Sequence, residues 1–362
     1  MGDDQFSARH ATWKRLKKNK GAVFGLAVII LAIVVATFGY FIAADRSPYA
    51  NRIILEIGSA RPGLKQEFIV VKKDKLPGRT GFLKQLIYGK EDDYHYIPVN
   101  SYQEKGDSII ADKYIGEGVS EKQVFPKNQL ADSPIKHTRF LLGTDKFGRD
   151  ILSRIIIGTR ISLSVGLITV IISLSIGLIL GSLAGYFRGR TDAIILWLIN
   201  VIWSIPTLLL VFAITLALGK GFWQVFIAVG LTMWVNVARL VRGQVLAARE
   251  LEYVEAARAL GFSHLRIIIR HIWPNIFGPV LVIAASNFAS AIIIEAGLSF
   301  LGIGVQAPQP SWGLMINENY NFIITQNPML ALAPGFAIML LVLAFNLLGN
   351  GLRDALNVRG KV

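Results

Sequence analysis

Long uncharged apolar runs alternate with short polar segments along this chain. A helix needs about 20 apolar residues to cross the hydrocarbon core of a bilayer. Six runs meet or approach that length, at 21–44, 161–187, 193–219, 221–238, 272–294 and 319–352. The last is polar at its start, which puts its membrane part at 329–348. Lipid offers no partner to backbone N–H and C=O groups, so runs this apolar are expected to be helices, whose bonds close within the segment. The first run exceeds the 7–15 apolar residues of a cleaved signal and reads as a retained anchor. Pro206, with Ser204 beside it, is expected to bend the third helix. Pro279 and Pro334 fall near helix ends.

Residues from Asp45 to about Phe140 are different in kind. They carry both signs of charge and short β-type runs such as Phe68-Ile69-Val70-Val71, broken by Pro62, Pro77, Pro98 and Pro126. At about 95 residues the segment is long enough for a small core, and it reads as a compact strand-containing insert.

Composition agrees with the pattern: 53% of residues are hydrophobic and 17% charged, against roughly 45–50% and 25% in soluble domains. The net charge of +14 has its simplest partner in a lipid bilayer; no nucleic-acid-binding module accompanies it. With no cysteine, disulfides and thiol chemistry are excluded. Positive charge in short loops sets orientation. Arg9, Lys14, Arg15, Lys17, Lys18 and Lys20 precede the first run, Arg188 and Arg190 follow the second, and Arg239, Arg242, Arg249, Arg258, Arg266 and Arg270 follow the fourth. Arg353, Arg359 and Lys361 lie in the tail; on the other side the third-to-fourth turn has only Lys220, and 296–328 has no Lys or Arg. Both termini are therefore expected in the cytoplasm and the insert outside it. The division is a basic cytoplasmic N-terminus at 1–20, a first transmembrane helix at 21–44, an extracytoplasmic insert at 45–140, and a core at 141–362 with five further helices and a cytoplasmic loop at about 239–272.

That loop holds the most informative stretch, Glu252-Tyr253-Val254-Glu255-Ala256-Ala257-Arg258-Ala259-Leu260-Gly261-Phe262-Ser263. The alanines make a narrow, strongly helical middle. Gly261 is placed to end the helix in the left-handed conformation, and Ser263 to cap a new one, with Pro274 and Asn275 at the entry to the fifth span. A short helix with a small-residue face suits a groove in a partner protein.

The spacing from Glu255-Ala256-Ala257 to Gly261 and on to Pro274 resembles the EAA loop of permease subunits of bacterial ATP-binding-cassette importers. Arg270-His271-Ile272-Trp273-Pro274-Asn275 is similar to the corresponding run in peptide permeases, with Trp273 in place of leucine. Leu142-Gly143-Thr144-Asp145-Lys146-Phe147-Gly148-Arg149-Asp150, with Ser153, Arg154, Gly158, Arg160 and Ser162, resembles the stretch before the second helix in dipeptide, oligopeptide and nickel permeases. In the residues themselves, Ile151, Leu152, Ile155 and Ile156 make an apolar stripe, and Asp150 and Arg154 stand at i, i+4 for an ion pair. This reads as an interfacial helix on the outer surface. Residues 295–313 and 344–356 match two further signatures of the subgroup. Asn350 departs from it where aspartate is usual, as does Asn357-Val358-Arg359, and most relatives lack the insert.

The resemblance implies the C-type subunit of a dipeptide, oligopeptide or nickel importer. The expected fold is all-α transmembrane, a six-helix type I (MetI-like) permease with a small extracytoplasmic strand-containing insert between helices 1 and 2. Glu252, Tyr253, Glu255, Ala256, Ala257, Arg258 and Gly261 become ATPase-coupling residues. The implied partners are a second permease subunit, identical or, as favoured, different, two ATPase subunits and an extracytoplasmic solute-binding protein. The place is the cytoplasmic (inner) membrane of a bacterium, with alternating access driven by ATP. No cofactor, metal or catalytic residue is expected. None of the Gly-Lys pairs is followed by Ser or Thr, so the chain has no P-loop of its own.

Asn200, Ser204, Asn236, Asn287, Ser290 and Asn346, with Ser286, lie within the runs, either lining a polar path or bonding between helices. Glu295 borders the fifth run at its outer end, where it reaches water or forms an outer gate. An ion-coupled transporter would need carboxylates at mid-membrane and internal repeats, and neither is found. A membrane enzyme would need intramembrane His, Asp or Glu, whereas His264 and His271 belong with the coupling loop. A receptor reading of the insert leaves that loop unexplained.

Overall fold

The computed structural model describes residues 12–74, 81–116, 118–219, 221–323 and 327–356. Arg9, Pro77, Lys220 and Asn357, Val358, Arg359 and Lys361, named above, lie outside the described residues. In chain order the helices are α1 (Lys20–Ile42), α2 (Phe82–Tyr88), α3 (Ile151–Phe187), α4 (Gly189–Trp203), α5 (Thr207–Leu218), α6 (Phe222–Arg249), α7 (Glu252–Ala259), α8 (Trp273–Phe300), α9 (Trp312–Asn319) and α10 (Met329–Leu356). The strands are β1 (Leu64–Lys72), β2 (Tyr94–Lys105), β3 (Ser108–Gly116), β4 (Val119–Pro126) and β5 (Leu130–Phe140). Among the described residues two compact units emerge, those within 1–32, 162–306 and 338–362, and those within 33–161 and 307–337.

Among the described residues, five helices are long and apolar enough to cross a membrane: α1, α3, α6, α8 with its helical lead-in from His264, and α10. The third run is not one straight span. α4 and α5 meet at a 90° corner, so the six-helix count holds only if this pair is one crossing. The cause is local. Proline disfavours helical geometry in the residue before it, and Pro206 itself takes ψ 127°. Ser204 N–H still closes on Asn200 O, and the ladder restarts at Leu210 N–H to Pro206 O. Two other boundaries move. α3 begins at Ile151, so the expected interfacial helix is its first turns. α6 runs on to Arg249, so 239–249, expected within the loop, is helix.

In the first unit, α3 packs on α6 along Gly177, Gly181 and Gly185, one per turn. A Cβ on Gly177 would stand 2.5 Å from Val237 Cβ, and one on Gly185 2.8 Å from Arg242 O. This is the small-residue seam by which membrane helices bring backbones together. Asp192 of α4 accepts a two-pronged bond from Arg242 of α6 at 2.5 and 2.6 Å.

In the second unit, the insert forms a five-stranded antiparallel sheet in the order β4-β3-β2-β1-β5. Side chains alternate across a strand, so the buried run Phe68-Ile69-Val70 means both faces of β1 are covered. Ile69 joins Val99, Ile109 and Phe125 on one face; Phe68 joins Ile54, Ile57 and Phe140 on the other. Pro98 does not break a strand as expected. It pairs with Phe68 inside β2, and the β2–β3 pairing begins only at Val99 with Lys113. Pro98 therefore sits where β2 is locally an edge, the position a sheet allows proline. The helix α2 was not foreseen, although Phe82, Leu83, Leu86 and Ile87 between Gly81 and Gly89 carry its pattern.

Candidate functional site

α7 is a helix of 8 residues with Glu252 and Glu255 in its first turn and Arg258 in its last, the arrangement the helix dipole favours. Its end is a Schellman turn. Gly261 takes φ +76°, Gly261 N–H bonds Arg258 O at 3.0 Å, and Phe262 N–H bonds Ala257 O at 3.2 Å. Val254 and Ala257 point inward, packed with Val245, Ile267, Ile272 and Tyr186. Glu252, Tyr253, Glu255, Ala256 and Arg258 face outward. Among the described residues, neither Glu252 nor Glu255 has an ion-pair partner within 4.0 Å, while Tyr253 Oη accepts a bond from Asn275 Nδ2 at 2.9 Å. The sequence-predicted coupling residues thus divide: Ala257 anchors the helix and the rest, Gly261 included, are exposed.

Ser263 takes the N-cap position of the next helical turn, with no side-chain bond to its backbone. Ile267–Ile272 then forms a wide π-helical turn leading into α8. The two histidines fall here as expected: Tyr186 Oη lies 3.0 Å from His264 Nδ1, and His271 stacks on Phe262 at 5.8 Å. Trp273, the departure from leucine, donates its indole N–H to Ser182 Oγ at 2.9 Å.

At the far end of α8, Glu295 is fully buried, contrary to the expectation that it reaches water. The reason is a second Schellman turn. Gly302 takes φ +76°, and Ile303 N–H returns to Leu298 O at 2.9 Å. The chain folds back so tightly that a Cβ on Gly304 would lie 2.2 Å from Ser299 Oγ. Ser299 Oγ donates to Glu295 at 2.6 Å and accepts from Val305 N–H at 3.0 Å.

The segment before α3 builds a buried charge cluster. Arg149 Nε donates to Asp145 at 2.6 Å and Arg149 Nη2 to Glu318 at 2.8 Å. Arg154, with no exposed surface, lies 3.9 Å from Asp145 and 3.5 Å from Glu318. The Asp150–Arg154 pair does not form. Asp150 instead caps α3, accepting from Ser153 N–H at 3.0 Å. Burial pushes its carboxyl above the usual carboxylate range, against the hydrogen bonds from Ser153. Glu318, inside α9, carries no motif signal in the sequence and was missed.

The polar residues of the runs do not form one line. Asn236 and Ser290, with Thr207 and Thr232, line a cavity of about 330 Å³. Ser286 lines another of about 420 Å³ with Arg353. Asn200 accepts from Arg239 at 3.2 Å, Ser204 bonds Val201 O at 2.7 Å, Asn287 is buried and Asn346 exposed.

Several long apolar helices, a broken one and an outward-facing short helix define a multi-spanning helical membrane protein. The sequence profile of the binding-protein-dependent transport system inner membrane component matches residues 177–361. That of the N-terminal transmembrane domain of oligopeptide transport permease C matches residues 7–56. The chain is 44% identical over 220 residues to the glutathione transport system permease protein GsiD of Pectobacterium atrosepticum, covering 61% of this chain and 73% of that one. It is 42% identical over 236 residues to the dipeptide transport system permease protein DppC of Alkalihalophilus pseudofirmus, covering 65% and 76%. A structure of the methionine ABC transporter MetNI, inward facing, overlaps at a TM-score of 0.46 and 17% identity, covering 56% of this chain and 95% of that one.

The chain belongs to the family of inner-membrane permease components of binding-protein-dependent transport systems. It is a multi-pass transport component; ATP hydrolysis belongs to a partner ATPase, and the system includes a solute-binding protein.

Proposed function

We propose that this chain is the C-type permease subunit of an importer of peptides, glutathione included, and that α7 is its coupling helix. The carrying observation is the division of α7 itself. Val254 and Ala257 fasten it to its own chain, while Glu252, Tyr253, Glu255, Ala256 and Arg258 are left outward. The solute class rests on the relatives, whose names give glutathione and dipeptide transport. The working unit is this chain with a second, different permease subunit, two ATPase subunits and a binding protein. The coupling side and both termini lie in the cytoplasm of a bacterium, and the insert lies outside. ATP closes the ATPase pair and draws the coupling helices together, and the spans open outward. Asn236 and Ser290, which share a cavity, are the path residues retained; Glu295 serves the outer gate through Ser299.

The test is ATP-driven uptake of a dipeptide and copurification of the ATPase, comparing wild type with Gly261→Val. A Cβ at 261 meets no atom within 4 Å, so the requirement is the positive φ, which costs a non-glycine residue about 1–2 kcal/mol. Uptake should fall at least tenfold with membrane insertion intact. Normal uptake with normal copurification would overturn the assignment of α7.

A further inference from the structure

We infer that α2 is an interfacial anchor, lying in the surface of the bilayer at the C-terminal end of α1 and tying the insert's sheet to the membrane plane. Its sequence is FLKQLIY. At about 100° per residue, Phe82, Leu86, Leu83 and Ile87 fall on one arc and Lys84, Gln85 and Tyr88 on the other. Apart from the partly buried Leu86, the apolar arc is not covered by the protein: Leu83 is 71% exposed, Phe82 64% and Ile87 51%. A water-facing sheet domain has no use for such a face, whereas a lipid surface does.

What makes lipid the occupant is where the helix is fastened. Phe82 stacks on Phe41 at 5.4 Å, and Phe41 is the penultimate residue of α1. A 23-residue helix is about 34 Å long, close to the roughly 30 Å hydrocarbon core, so Phe41 stands near the level where acyl chains give way to headgroups. The other end is fixed as well. Arg160 Nη1 donates to Leu86 O and Ile87 O at 3.0 and 3.1 Å, meeting the carbonyls a helix end leaves open. Gly89, at φ +80°, packs so close to Tyr40 and Arg46 that a Cβ would lie 2.8 Å from each. Lys90 N–H bonds Arg46 O at 2.9 Å. The exposed face of α2 thus continues the exposed face of α1, where Phe38 and Ile42 are 46% and 51% exposed. Lys84 and Tyr88 on the polar arc suit the headgroup layer.

The inference needs α1 to span the bilayer, and is otherwise independent of the solute and of the role of α7. The chain has no cysteine, so single cysteines can be introduced and spin-labelled. The full chain carrying Leu83→Cys or Ile87→Cys is reconstituted in phosphatidylethanolamine–phosphatidylglycerol vesicles. Collision of the label with oxygen, which enters lipid, is compared with a water-soluble nickel chelate. Phe38→Cys on α1 and Val119→Cys, 54% exposed on β4, are the references. Positions 83 and 87 should be oxygen-dominated like 38, with 119 nickel-dominated. Nickel-dominated labels at 83 and 87 would overturn the anchor in favour of a solvated helix. Labels shielded from both agents would overturn it in favour of a protein partner. A nickel-dominated label at 38 would remove α1 from the bilayer and the anchor with it.

Discussion

A Cβ placed on Gly181 would stand 2.5 Å from the carbonyl oxygen of Ala238. The neighbour is backbone and cannot rotate away. Gly181→Ala should therefore force α3 and α6 apart, at about 1–3 kcal/mol, the usual cost of overpacking. Gly243→Ala on α6 is the control, since nothing lies within 4 Å of its Cβ. It should be neutral or stabilising by up to about 1 kcal/mol. Thermal unfolding in detergent checks both, and equal melting points for the two variants would refute the seam.

The charge cluster at the start of α3 balances two guanidinium groups against two carboxylates. Glu318→Gln leaves Arg149 and Arg154 with Asp145 alone. Breaking a buried ion pair from one side costs about 3–5 kcal/mol, so a large fall in melting temperature is expected. Adding Arg154→Met to Glu318→Gln should recover part of the loss, because the unmatched charge is gone. A double variant no better than the single one would show that Arg154 is not balanced by Glu318.

Asp150 gives a pH test. Burial raises its carboxyl above 3.8 in the folded chain, so the folded state holds a proton that the unfolded state has released. Stability from this group is full below 3.8 and falls as pH rises through the window up to the raised value. Asparagine keeps the helix cap and removes the charge. Asp150→Asn should match wild type in acid and melt higher at neutral pH. A melting difference that does not change with pH would refute the assignment.

The two faces of α7 can be separated. Val254→Asp puts a charge into the cluster around Tyr186 and Ile267, and should lower the melting temperature. Glu255→Arg is a surface change, worth within about 0.5 kcal/mol, yet should abolish copurification of the ATPase. If Glu255→Arg left copurification intact, the outward face would not be the docking face.

The spans were legible because twenty apolar residues without charge admit few other readings. Where α3 begins was not, because Asp150, Arg154 and Arg160 read as a polar border. In the folded chain Arg154 lies by Asp145 and Glu318, and Arg160 by the α2 carbonyls. Glu318 and the α2 carbonyls are distant in sequence from the arginines they meet, and no spacing rule reaches them. The short helix α7 was readable from Glu255-Ala256-Ala257 and Gly261, because a left-handed glycine after a helix is a local requirement. Burial of Glu295 depends on a turn-back through Gly302 and Gly304 that the run of glycines only hints at. The Gly177, Gly181 and Gly185 seam was in plain view as a four-residue repeat, hidden by its place inside an apolar run. The corner at Pro206 was expected as a bend, and only its size was not.

Because α3 and α6 meet backbone to backbone, no layer of long side chains lies between them to absorb a push. Val237, Val241 and Val245 of α6 belong to the same cluster as Val254 and Ala257. A tug on the short helix should therefore travel as the swing of a stiff paired strut, with its amplitude set by the lever arm of the pair and not dissipated by rotamer changes on the way.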